Sequence, residues 1–127
     1  MTKQIKYQKP NFEQRWSRAE SFPEFQDMGK TNWKNFAGTG CQIHLSKIMD
    51  NINGLEPEDN DVLKKTKVKD QIAAGVVEMP ILVKLAENKY EVVCGKTRIS
   101  ELLKNNKDPL VWVIDMSEMM FLIRPVY

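Results

Sequence analysis

Gly95-Lys96-Thr97-Arg98 is the run whose residue types and spacing most readily suggest chemistry: one glycine, two cations and a hydroxyl. An apolar stretch, Tyr90-Glu91-Val92-Val93-Cys94, precedes it, and Ile99, Leu102 and Leu103 follow on one helical stripe. A strand therefore runs through a single glycine directly into a helix. The start of a helix carries backbone N–H groups without intrahelical partners and the positive end of the macrodipole, so it attracts anions. Gly95 lets the backbone approach such an anion, Arg98 adds a forked donor, Lys96 a point charge and Thr97 a hydroxyl. The nucleotide loop G-x-x-x-x-G-K-[ST] is excluded, because its first glycine would fall at Tyr90. The residues themselves leave two readings: a simpler anion site at a helix start, or an ordinary helix start with solvated basic residues.

Few other side chains offer chemistry. Cys41 and Cys94 are the only cysteines and His44 the only histidine, which excludes a disulfide framework, a C-x-x-C zinc pair and any multi-histidine metal site. Cys94, at the end of an apolar strand, reads as a buried residue rather than a nucleophile. His44 falls on the polar face of a strand and is expected to meet solvent or a neighbour. Glu56, Glu58 and Asp59 sit in an acidic, turn-rich loop spanning 50–60 and are the candidates for a general base or a magnesium-binding segment over the phosphate. The basic run Lys64 to Lys69 reads as the solvated face of a helix, with Asp61 and Asp70 diluting its field. Lys and Arg total 19 against 17 Asp and Glu, and a net charge of +2 is too small to mark a dedicated nucleic-acid binder.

These residues need elements to position them. A chain of 127 residues, 42% hydrophobic and 28% charged, suits one soluble domain with a core. Met1 to Pro10 is polar and lysine-rich, a loose leader without the apolar segment of a secretory signal. No run approaches the ~18 apolar residues that a membrane span needs, so the expected location is the cytoplasm. Asn11 can cap a helix carrying Phe12, Trp16 and Ala19, which Pro23 interrupts. Residues 1–40 are expected to form an N-terminal arm that packs Trp16, Trp33 and Phe36 onto a domain of residues 41–127. If exposed, those rings would instead mark a protein-partner surface. Alternation through Cys41-Gln42-Ile43-His44-Leu45-Ser46 predicts a strand. A helix capped by Asp61 carries Val68 and Ile72 and stops at Gly75. Two apolar runs, 81–86 and 90–94, form a hairpin, and Pro109 ends the helix after Gly95. Residues 110–115 make a buried strand, and 117–127 a short helix with an apolar tail. The piece from Tyr90 to Asp115 predicts a parallel strand-helix-strand crossover. The expected class is α+β, a small mixed sheet with helices.

The order of elements from Lys67 to Asp115 resembles the ParB/sulfiredoxin-like family. The matching positions are Ile72, Gly75, Pro80-Ile81-Leu82-Val83, Tyr90 to Val93, the G-x-x-R of Gly95 and Arg98, and Pro109 to Val113, with Cys41 to Ile48 similar to the family's opening strand. The resemblance implies that the G-x-x-R turn, Gly95 to Arg98, holds the phosphates of a nucleoside triphosphate, ATP or CTP, with Mg2+. It implies nucleotide hydrolysis or phosphoryl transfer as the reaction class. Lys96 stands where sulfiredoxin has its cysteine, so sulfinic-acid reduction is not expected. Lys96, Thr97 and Ser100 also depart from the G-E-R-R-x-R-A of the partition branch, which leaves ATP and CTP both open. The runner-up is a non-catalytic module on the same fold that binds a protein or nucleic acid.

Overall fold

In the computed structural model, residues 5–53, 62–105 and 107–117 are described. Along them run β1 (Lys6–Gln8), α1 (Phe12–Ala19), α2 (Pro23–Gln26), α3 (Lys30–Ala37) and β2 (Cys41–His44). Two 3-10 turns, Leu45–Lys47 and Met49–Asn51, lead into β3 (Ile52–Asn53). Then come α4 (Val62–Ala74), β4 (Val76–Glu78), β5 (Ile81–Ala86), β6 (Lys89–Cys94), α5 (Lys96–Lys104) and β7 (Leu110–Asp115). The class is α+β with mixed sheets. Five strands form one sheet in the order β2-β7-β5-β6-β3, and β1 pairs with β4 in a second, two-stranded parallel sheet.

Side-chain alternation explains why the larger sheet is apolar throughout. Successive residues of a strand point to opposite faces. Ile81 and Val83, Trp112 and Ile114 join one apolar cluster with Ala19, Phe25, Trp33 and Ala37 of the N-terminal helices. Leu82, Val92, Val111 and Val113 join another with Ile99 of α5 and with Leu45 and Ile48 of the 3-10 turns. Both faces are thus covered, the first by α1 to α3 and the second by α5, which is why these strands read as continuous apolar runs rather than alternating ones.

The arm is core. Trp33 has no exposed surface. Its ring meets Phe12, Trp16 and Phe25 at centroid distances of 6.5, 6.3 and 4.9 Å. Its indole N–H donates to the Phe12 carbonyl at 2.7 Å, so the polar edge of a buried ring is satisfied. From the sheet, the Trp112 indole donates to Ala37 O at 2.8 Å. Asn11 caps α1 as expected, its side chain accepting from the Gln14 amide at 3.2 Å. These rings are spent on packing and do not form the exposed aromatic patch that would mark a partner surface.

Five expectations change. Ile52 and Asn53, in the stretch expected to be a loop, form β3 parallel to β6. The leader contains β1, whose partner β4 also lies outside the expected strands. The apolar pair Trp33 and Phe36 belongs to a helix, α3, entered through Gly29 at φ 82°. The strand from Cys41 stops at His44 and a 3-10 turn begins at Leu45, which still joins the apolar cluster that Ile43 packs against. Finally, β6-α5-β7 is not a parallel crossover of neighbours. β5 lies between them, antiparallel to β6 and parallel to β7, so the parallel return is from β5, across its hairpin partner. The expected helix and apolar tail over 117–127 fall outside the described residues beyond Ser117.

Because the arm and the sheet share one apolar cluster, they should unfold together. Trp33→Ala is expected to cost about 3–5 kcal/mol, the usual range for emptying a buried aromatic site. Urea denaturation should show one transition by both circular dichroism and tryptophan fluorescence. Two separated transitions in the wild type would contradict the shared core.

Candidate anion-binding site at the β6–α5 turn

The turn from β6 into α5 is made by one residue. Gly95 has φ 101° and ψ 19°, a left-handed conformation that side chains rarely adopt. Space forbids a side chain as well, since a Cβ there would lie 2.7 Å from Cβ and 2.9 Å from Cα of Pro80. Just before it, β6 carries a bulge: Ile81 faces Cys94 while Leu82 faces Val92, so Val93 is the extra residue. A bulge re-aims the side chains that follow it. Val93 and Cys94 both reach the cluster on the arm side of the sheet, which breaks the alternation just before the turn.

No side chain caps the start of α5 among the described residues. The first-turn amides of a helix have no partner within it, and here they adjoin a cavity of about 510 Å3. Three segments line it. The turn supplies Cys94 to Arg98, α1 and the residues after it supply Arg15, Arg18, Ser21 and Phe22, and α4 supplies Lys67, Val68 and Gln71. Among the described residues, five that line it are cationic and none is acidic. Charges concentrated in a concave, partly desolvated wall act on one another and on a ligand more strongly than the same charges spread over a surface. All four expected binding residues, Gly95, Lys96, Thr97 and Arg98, line this cavity. Arg15, Arg18 and Lys67 were missed.

Arg98 plays a different part from the one expected. It is 8% exposed. Its Nη1 donates to the carbonyl oxygen of Glu78 at 2.8 Å and lies 3.6 Å from the Glu78 carboxylate, while Nη2 lies 4.0 Å from Cys94 Sγ. The guanidinium therefore ties the end of β4 to the turn from beneath. Arg15 reaches the same carboxylate from α1, its Nε 2.7 Å from Glu78 Oε2. That hydrogen bond holds the Arg15 guanidinium above its ordinary range, with burial acting the other way. One carboxylate thus anchors two of the cavity's arginines.

Cys94 is also in the wall. Burial pushes its thiol up, and the nearby Arg98 and Arg15 only partly offset that. The balance keeps a neutral thiol at neutral pH, which agrees with the reading of a buried strand residue and not a nucleophile. His44 is exposed, its Nδ1 3.6 Å from Asp108, and Asp108 binds the Ser46 hydroxyl at 2.7 Å. Glu56, Glu58 and Asp59 lie outside the described residues. Among the described residues no group of three or more His, Cys, Asp or Glu side chains could hold a metal ion. No helix among them is long and apolar enough to cross a membrane.

Fold and site together define an α+β domain with a cation-lined cavity at a strand-to-helix turn. Comparisons with protein-family models, with curated proteins and with solved structures give no match.

Two outcomes test this geometry. Gly95→Ala should lower stability by about 1–3 kcal/mol, the cost of a strained backbone position, read as a shift in the urea midpoint. An unchanged midpoint would show that the turn is not held as described. Iodoacetamide at neutral pH should modify the exposed Cys41 well before the buried Cys94, as read by peptide mass spectrometry. Equal rates would mean that Cys94 is open and its thiol not raised.

Proposed function

We propose that this protein binds a phosphorylated small molecule, a nucleotide by preference, with a phosphoryl group seated at the start of α5. The observation that carries the reading is the cavity itself: a helix start opening into a space where, among the described residues, five lining side chains are cationic and none is acidic. Anions are favoured there by the amides, by the macrodipole and by the side-chain charges together. Phe22 and Val68 add an apolar wall against which a base can lie. We also place the fold with the ParB/sulfiredoxin-like kind, on the G-x-x-R turn and the elements around it.

The residues fit ATP or CTP through their phosphates. Mg2+ would come with the phosphate oxygens, because the lining residues among those described contain no carboxylate. Lys96 and Thr97 are the contacts to the phosphoryl group, and Arg98, tied to Glu78, shapes the turn more than it reaches out. Binding is the claim. Hydrolysis and phosphoryl transfer are outcomes to be scored in the same experiment by phosphate release.

A thermal-shift panel of ATP, CTP, GTP and pyrophosphate, each with and without magnesium, tests it. Ligand at 100 times its dissociation constant should stabilise the fold by about 2.7 kcal/mol. Lys96→Glu, which reverses a charge in the wall, should abolish the shift. Arg98→Ala is a poor control, since removing a buried guanidinium also weakens the fold. No shift with any of the four ligands, or the same shift in Lys96→Glu, would contradict the proposal.

A further inference from the structure

The cations of the cavity fall into groups with different obligations. Arg15 and Arg98 are both engaged by Glu78. Arg18 and Lys67 are exposed, line the same cavity, and have no carboxylate partner among the described residues. They come from different elements, α1 and α4, and neither belongs to the β6–α5 turn. Among the described acids, Glu13 on α1 sits 3.3 Å from both Lys30 and Lys34, Glu78 is taken by the two arginines, and Glu20 and Asp70 form no ion pair with Arg18 or Lys67. Like charges facing one cavity repel one another, and an anion between them removes that repulsion.

Resting on the phosphate reading above, we propose that Arg18 and Lys67 form a second anion locus that selects ligands with two or more linked phosphoryl groups over those with one. The first phosphoryl group sits at the amides of the turn, and the next meets the α1 and α4 cations. Arg18 makes the N-terminal arm part of the binding site and not merely its packing. It also lies outside the segment in which the G-x-x-R likeness is found.

Calorimetric titration of the full chain with orthophosphate, pyrophosphate and tripolyphosphate, at one ionic strength, tests the second locus. Wild type should bind the two linked phosphates at least about tenfold more tightly than orthophosphate, the effect of one charge-assisted contact. Arg18→Gln with Lys67→Gln should erase that preference, lowering affinity for the two linked phosphates at least about fivefold more than affinity for orthophosphate. The charge-keeping pair Arg18→Lys with Lys67→Arg should retain most of it. Both side chains are exposed, and circular dichroism confirms that the variants fold. If the Gln pair weakens all three ligands equally, or none of them, the second locus is wrong while the turn remains a phosphate site. If wild type binds none of the three, the phosphate reading fails and this proposal with it.

Discussion

One constraint governs the site: β6 must become α5 within a single residue while lying against Pro80. Only a glycine meets it, because the backbone is left-handed there and a Cβ would collide with the proline ring. The bulge at Val93 prepares the turn, and the Arg98 guanidinium holds it from below through the Glu78 carbonyl and carboxylate. A buried guanidinium is tolerated only when it is paired and hydrogen-bonded, so Glu78 is part of the same constraint. Because that carboxylate also binds Arg15, the geometry of the turn and the seating of α1 are linked. The cavity is the space left between the two.

The functional consequence follows from where the charges come from. A helix start alone is a weak attractor, worth a fraction of a kcal/mol to about 2 kcal/mol for a nearby anion. Here it is joined by side chains from α1, held by the apolar cluster on one face of the sheet, and from α4, which packs beside α5. The pocket is therefore a tertiary feature. Its charge depends on the N-terminal arm remaining packed, which in turn depends on Trp33, Phe25 and Ala19 being buried against the sheet.

Much of the second half was legible from sequence because local chemistry and tertiary context agree there. Gly75 and Gly95 both have positive φ where the sequence pattern placed a helix stop and a strand-to-helix turn. The hairpin of β5 and β6, the stripe of α5 and the buried β7 were likewise read from periodicity. The first half was harder. β1 has three residues and is a strand only because β4 lies beside it, a pairing across 70 positions that no local pattern announces. α3 has one strong apolar pair and no side-chain cap, so its helicity comes from Trp33 filling the core. Arg15, Arg18 and Lys67 looked like solvated helix residues, as most such residues are. What marks them is convergence on one cavity, and that requires the fold. Arg98 was found by motif, but its use as a strut could not be read without knowing that Glu78 ends a strand beside it.

The most direct measurement of the central claim is an amide-resolved nuclear magnetic resonance titration of the 15N-labelled protein with pyrophosphate. The account predicts saturable shifts that are largest at the backbone amides of Lys96, Thr97 and Arg98, with smaller ones at Arg18 and Lys67. Shifts scattered over lysines across the surface without saturation, or resonances at the turn that do not move, would contradict it.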